Sequence, residues 1–300
     1  MPELPEVETS RMDLQGFFTG AAVRDCRVLD PRIRVGHPSP PFFRRGQWVG
    51  TGIERHGKTL IMGFSQNQEE ETEHSGKGEK GFFLLSRFGM SGSWRRVDAR
   101  LNPPHTHLEI RFSDRTSRLV WVDPRRFGRI EFATVPFSSN LLSRVGPDAL
   151  SVSASVFEEI LRSTSRSLRS ALMDQGLLAG IGNIYMAEIL FDAGLSPFRE
   201  GRDLLFREVR VLHASMHSVL RAAIAEGGST IHSFAREDGR NGGYQKLHLV
   251  YGREGQPCPR CGLPVRKVTL EARSLYYCPS CQPPKRSTIR SSSRRDPLEN

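Results

Sequence analysis

The chain changes its hydrophobic rhythm twice. Leu4, Val7, Leu14 and Phe18, with Glu8 and Arg11 between them, fall at helical spacing, so a helix is predicted over residues 5–18. After it come short runs rich in Val, Ile, Leu and Phe near 22–35, 47–64, 81–86, 106–112, 118–123 and 128–134. Gly, Pro, Asn or Asp turns separate these runs, the pattern of an antiparallel sandwich or barrel. Residues 136–150 carry Pro136, Gly146 and Pro147 and few periodic apolar positions, which suits a linker. Helical spacing then returns near 153–162, 166–174, 183–192 and 203–226. No internal repeat is visible.

Two stretches stand outside the rhythm. Residues 66–80 hold five acids, two lysines and no large apolar side chain, a solvated loop whose charge points it away from nucleic acid. Residues 283–300 form a Ser/Arg-rich tail. The formal charge of +10 favours a polyanionic partner, but residues 285–300 hold five cations and two acids, which leaves +7 for the body. Four cysteines bound to zinc as thiolates take that body to roughly +5. No apolar run approaches the ~18 residues of a membrane span, and the N-terminus lacks a signal-peptide core, so the expectation is an intracellular protein.

Four of the five cysteines form two CxxC pairs: Cys258 and Cys261, then Cys278 and Cys281 after the sixteen residues 262–277. Two such knuckles on a hairpin supply four soft ligands for one structural zinc in a reducing compartment. Arg266, Lys267 and Arg273 make the intervening hairpin basic, able to lie on phosphates or to form a solvated face. Cys26 lies among alternating apolar residues and reads as buried.

At the start of the chain, removal of Met1 exposes the secondary amine of Pro2 beside Glu3. An α-amine titrates near ~7.7–8 against ~10.4 for lysine, so roughly a tenth is free base at neutral pH. A secondary amine condensing with a sugar aldehyde gives an iminium, an electron sink for elimination, and Glu3 can move the protons. The same residues also fit a plain helix start, with Pro in the first turn and acids at the positive end of the helix dipole. Three other places are open to two readings. Gly180, Gly182 and Asn183 can bind a phosphate at a helix start or form a simple turn. Met90 and Phe127, on segments joining predicted strands, are core residues or exposed wedges for DNA whose base is flipped out. Lys58 alone is a surface lysine.

The opening PELPEVET resembles that of the formamidopyrimidine-DNA glycosylases, whose terminal proline is the nucleophile. Four further motifs follow in family order. Phe88-Gly89-Met90-Ser91-Gly92 is similar to the GMSG loop, and Asp123-Pro124-Arg125-Arg126-Phe127-Gly128 to the DPRRFG loop. Met173 to Tyr185 resembles the helix-two-turns-helix, and the CxxC pairs resemble the zinc finger after it. The resemblance covers roughly residues 1–282.

It implies Pro2 and Glu3 as catalytic residues, with Lys58 near the damaged site. It makes Met90 and Phe127 entrants to the base stack, Arg125 a contact to the orphaned base, and Arg126 and His107 further DNA contacts. Asn183 and Arg273 are carried over as phosphate clamps, and Glu188 as an anchor of the N-terminal segment. Gly227 to Tyr244 looks like the mobile lesion-recognition loop, with Thr230 and Tyr244 in it. Three features depart from the family: Arg87-Phe88 replaces His-Leu, Arg169 stands where lysine is usual, and 66–80 is an insertion.

The fold expected is α+β and multidomain. Residues 1–135 are an N-terminal antiparallel β-sandwich with a leading helix, and 136–150 a linker. Residues 151–245 are a helical helix-two-turns-helix domain, 246–282 a four-cysteine zinc-finger hairpin, and 283–300 the basic tail. The function expected is a base-excision glycosylase and lyase acting on oxidised purines in damaged double-stranded DNA. It would work as a monomer with one structural zinc. Its alternatives are an oxidised-pyrimidine endonuclease of the same family and a zinc-bearing lesion-binding protein without activity.

Overall fold

The computed structural model describes residues 2–30, 34–36, 48–66, 81–229 and 241–284. The acidic stretch 67–80, Thr230 with the rest of 230–240, and the tail from 285 lie outside the described residues.

Helix α1 runs Leu4–Phe18, with Pro5 in its first turn. Glu3 and Glu6 form a reciprocal capping box at its start, in which the Glu3 N–H donates to Glu6 Oε2 at 2.7 Å. Leu4 packs into the core of the helical domain, whereas Val7, Leu14 and Phe18 pack into the core of the sheet. One helix thus belongs to both domains. Each of these fully buried side chains stabilises that junction by about 1.5–3 kcal/mol.

Among the described residues nine strands follow: β1 Ala22–Val28, β2 Arg34–Gly36, β3 Trp48–His56, β4 Thr59–Gln66, β5 Gly81–Arg87, β6 Ser93–Asp98, β7 Thr106–Phe112, β8 Ser117–Val122 and β9 Arg129–Ala133. They make one continuous sheet in the order β2-β9-β5-β4-β3-β1-β7-β8-β6. Every pair is antiparallel except β2 with β9. The sheet folds into two layers: β5 and β6 are far apart in strand order, yet Trp94 Nε1 on β6 donates to Ser86 Oγ on β5 at 2.9 Å. Between the layers lie Phe64, Phe82, Leu84, Phe88, Trp94 and Trp121. This is the expected sandwich, with one continuous sheet supplying both layers.

Two sequence expectations are refined here. The single run expected over 47–64 is a hairpin, β3 and β4, turning on Gly57 and Lys58. Only glycine suits this turn: Gly57 has φ 57°, and an added Cβ would lie 2.8 Å from the Ala179 methyl. The edge strand β6 has no expected counterpart, because Ser93-Trp-Arg-Arg-Val-Asp98 offers two apolar positions among four polar ones.

The helical half holds α2 Ala154–Arg162, α3 Leu168–Met173, α4 Asn183–Asp192 and α5 Phe206–Ala225. Helix α4 is buried from Ile184 to Phe191. A helix that is apolar on every side is a central one, and its neighbours are α3, α5 and the zinc hairpin. That hairpin pairs β10 Arg266–Leu270 with β11 Arg273–Tyr277 across a turn at Glu271 and Ala272, both at positive φ. Arg55 ties the halves together. Its guanidinium donates to Glu8 Oε2 on α1 at 2.8 Å and to both carboxylate oxygens of Asp148 at the entry to the helical domain.

Candidate active site and nucleic-acid interface

The site is assembled at the start of α4. Glu3 is 2% exposed. Its carboxylate accepts N–H groups from Gly182 at 2.8 Å, Ile184 at 3.0 Å and Tyr185 at 3.4 Å. These are the orphan donors that begin a helix, and a carboxylate complements both them and the dipole. The glycines make the approach possible. An added Cβ would lie 2.4 Å from the Glu3 carboxylate at Gly182 and 2.5 Å from Leu4 Cδ1 at Gly180. Leu4 N–H donates to Gly180 O at 3.0 Å, so the N-terminal segment, with Pro2 buried, lies along this loop. The helix-start amides considered for a phosphate are therefore taken by Glu3. The N-cap is Gly182 rather than Asn183.

Lys58 sits on the β3–β4 turn and donates from Nζ to Ile181 O at 2.9 Å, one residue from Glu3's ligands. Burial lowers its pKa, and the charges of Glu3 and Glu6 oppose that shift.

Glu6 was not singled out by the sequence. Its carboxylate accepts the Tyr185 hydroxyl at 2.5 Å and the Ser229 N–H at 2.7 Å, besides the Glu3 N–H. Burial, followed by the negative charge of Glu3, raises its pKa from 4.5 to about 7. Ser229 Oγ in turn lies 3.0 Å from His248 Nε2. The last described residue before the 230–240 segment is thus joined to the N-terminal helix. Tyr244 is buried, its N–H donates to Gly228 O at 3.1 Å, and its ring lies 5.8 Å from that of Tyr185. The expected lesion-loop residue Tyr244 is therefore packed against Gly228 and Tyr185.

The two loops suspected of entering DNA are exposed at their tips: Met90 by 37% and Phe127 by 54%. The core reading of these residues is excluded. The loops rest on one another, since a Cβ at Gly89 (φ 61°) would lie 2.5 Å from Phe127 O. Asp123 holds them from behind: its carboxylate accepts the Gly128 N–H at 2.7 Å and the Ser91 hydroxyl at 2.5 Å. Ser91 Oγ accepts the Arg125 N–H at 3.1 Å. The Arg125 guanidinium stacks 4.9 Å from the Phe127 ring centre. Arg126, at φ 55°, pairs with Asp30 at 3.2 Å.

His107 departs from expectation. It is 2% exposed, with Nε2 2.8 Å from Asp123 O and Nδ1 3.3 Å from Asp30. Held inward against Asp123, the ring supports the loop from behind. Glu188 is the second correction. Its carboxylate accepts the N–H groups of Leu249, Val250 and Tyr251 at 2.8–3.0 Å. It anchors the entry to the zinc finger, while the N-terminal segment is held by Glu3 and Glu6.

Asn183 reaches the zinc hairpin, where Nδ2 donates to Ser274 O at 2.8 Å, beside Arg273. From the other side the buried Arg169 donates to Glu271 Oε2 at 3.1 Å and Leu270 O at 3.0 Å. Arg273 borders an open cavity of about 590 Å³ lined also by Arg166 and Ser170. The cysteine sulfurs of Cys258, Cys261, Cys278 and Cys281 all lie within 4.8 Å of one another. The 258–281 and 261–278 separations are 3.8 and 3.5 Å. A tetrahedron with ~2.3 Å Zn–S bonds has edges of about 3.8 Å. Four thiolates at these spacings fit one structural zinc, which would fix the hairpin and take no part in bond-making. Arg260, between the first two cysteines, donates to Phe191 O at 2.7 Å and Asp192 O at 3.0 Å, capping α4. Cys26 is half-buried against the sandwich core.

A buried terminal segment and a four-cysteine hairpin fixed to α4, with two exposed loop tips held by Asp123, define a nucleic-acid enzyme with a structural metal. Three family profiles match in the same order: the formamidopyrimidine-DNA glycosylase N-terminal domain at 1–130, the formamidopyrimidine-DNA glycosylase H2TH domain at 145–235, and the zinc finger found in FPG and IleRS at 255–284. The chain belongs to the formamidopyrimidine-DNA glycosylase family. It is 39% identical over 288 residues to the formamidopyrimidine-DNA glycosylase of Laribacter hongkongensis, covering 94% of this chain and all of that one. The crystal structure of MutM (Fpg) from Thermus thermophilus superposes with a TM-score of 0.78 at 36% identity, covering 94% and 98% of the two chains. Wild-type Lactococcus lactis Fpg (MutM) in complex with N7-benzyl-Fapy-dG DNA gives 0.80 at 30%, covering 94% and 100%.

Proposed function

We propose that the chain is a bifunctional DNA glycosylase and AP lyase of base-excision repair that removes oxidised purines, 8-oxoguanine and formamidopyrimidines, from duplex DNA. The observation that carries this reading is the Pro2-Glu3 pair, with Glu3 fixed by three N–H donors of α4. After Met1 is removed, the lone pair on Pro2 N forms a bond to C1′ of the sugar. The C1′–base bond breaks, and its electron pair leaves with the base, which takes up a proton. Opening of the sugar ring gives the iminium. Loss of the 2′ proton then expels the 3′ phosphate, and a second elimination expels the 5′ phosphate. Glu3 carries protons at the sugar, and Lys58 lies within reach of sugar or phosphate.

Met90 and Phe127 fill the gap left by the extruded base, and Arg125 reads the base left opposite. Arg126, Asn183 and Arg273 hold phosphates. Of the expected lesion loop, Tyr244 lies near the extruded base, and Thr230 lies outside the described residues. The protein works as a monomer with genomic DNA, and among the described residues no helix is long and apolar enough to cross a membrane. The units are divided at 135, 150, 245 and 282. Support for the oxidised-purine class comes from the Lactococcus lactis relative solved with N7-benzyl-Fapy-dG DNA; the same relative solved with DNA containing an oxidised pyrimidine keeps the second branch as an outcome of the test.

Cleavage assays test the reading. Duplexes with 8-oxoguanine opposite C should be cut faster than those with thymine glycol. The reverse order would assign the oxidised-pyrimidine branch, and no cleavage of either would leave a lesion-binding protein.

A further inference from the structure

Arg87 ends β5 and Arg129 begins β9, and the two are directly opposite in the antiparallel register. Directly paired residues on a sheet have Cβ atoms about 4.5–5.5 Å apart, and like charges there are destabilising. The described surroundings do not neutralise them. The Arg87 guanidinium donates to Leu141 O and, at 3.4 Å, to Thr59 Oγ1, both uncharged. Glu131, two residues along β9 from Arg129, is used by the Asn140 and Leu141 N–H groups. Among the described residues no carboxylate pairs with Arg87 or Arg129. Burial and the charge of Arg129 both lower the pKa of Arg87, as expected of a cation lacking a counter-charge.

The pair lies between the parts already assigned to DNA. Arg87 is three residues before Met90, Arg129 is two residues after Phe127, and Thr59 joins Arg87 to Lys58. An anion that can face two guanidinium groups beside inserted loop tips has the chemistry of a backbone phosphate. We propose that Arg129, together with Arg87, holds a DNA backbone phosphate next to the Met90 and Phe127 loops. Their repulsion in the free protein is relieved only on binding. This rests on the reading of those loops as DNA-entering.

The test is Arg129→Thr, which keeps a strand-forming side chain, with Arg129→Lys beside it, in the zinc-loaded full-length protein. Binding of a lesion-containing duplex to Arg129→Thr should weaken roughly three- to tenfold at about 0.15 M salt. The slope of log affinity against log salt should fall by about one contact's worth, ~0.9. The melting temperature should stay at or above the wild-type value, because a like-charge neighbour has gone. Arg129→Lys should restore most of the salt slope. Unchanged affinity and slope would overturn the proposal, as would a fall in melting temperature that Lys does not rescue, which would make Arg129 a structural strut. Wild-type lesion cleavage, measured in parallel, reports separately on the enzymatic reading, since a purely binding protein would still show the slope change.

Discussion

Glu3 is 2% exposed and its carboxylate is filled by backbone donors, whereas Phe127 is 54% exposed with a guanidinium stacked on its ring. Both stand on rigid supports. For Glu3 the support is the start of α4 and for the loop tips it is Asp123, but the supports act differently. Around Glu3 the side chain itself is immobilised, which suits a group that must meet a reacting bond without reorganising. At the loops the backbone is immobilised and the side chains are left in solvent. Exposing apolar surface costs about 25 cal/mol per Å², and on the proposed function that cost is recovered when a base stack accepts the tips. The difference separates chemistry from recognition, so variants in the two regions should fail in different ways.

The largest effect is expected for Glu3→Gln. Base excision should fall roughly 10²- to 10⁴-fold, while strand cleavage at a preformed abasic site continues; single-turnover assays on both substrates measure this. Next is Gly182→Ala, whose methyl would sit 2.4 Å from the Glu3 carboxylate. Displacing that group by a fraction of an ångström should lower excision by up to about 10²-fold, with duplex affinity close to wild type. If affinity falls in step with excision, the contrast between the two regions is wrong.

Arg125→Ala acts on the other region. It should narrow discrimination by the base opposite the lesion by ~1–3 kcal/mol, measured as affinities for 8-oxoguanine opposite each of the four bases. An equal loss for all four would make Arg125 a phosphate contact. The smallest effect concerns Glu6, whose carboxyl is raised from 4.5 to about 7 by burial and by Glu3. The folded state holds this proton more tightly than the unfolded chain, so its contribution to stability is complete below 4.5 and is lost as pH rises through about 7. Glu6→Gln cannot ionise and should flatten that part of the profile in thermal melts between about pH 5 and 8.

Local pattern carried much of this. The helix over 5–18, the zinc ligands, and Met90 and Phe127 as exposed tips were legible because each depends on neighbours in sequence or on a motif. What was not legible depends on distant partners. Glu188 meets Leu249 across 61 residues, Arg55 meets Asp148 across 93, and Glu6 meets Ser229 across 223. No periodicity records such a contact. His107 alternates correctly along its strand, and only the fold shows that its ring turns inward against Asp123. Gly180 and Gly182 stand out as a motif, but their reason, room for Leu4 and Glu3, comes from the opposite end of the chain.

The central claim is that Pro2, held beside Glu3 at the start of α4, is the nucleophile. Borohydride reduction during turnover, followed by mass spectrometry of the trapped protein–DNA complex, tests it most directly. The account predicts a linkage at Pro2 N, absent when any residue precedes Pro2, because an amide nitrogen has no basic lone pair to form the iminium. A linkage at Lys58, or equal trapping by protein that retains Met1, would contradict it.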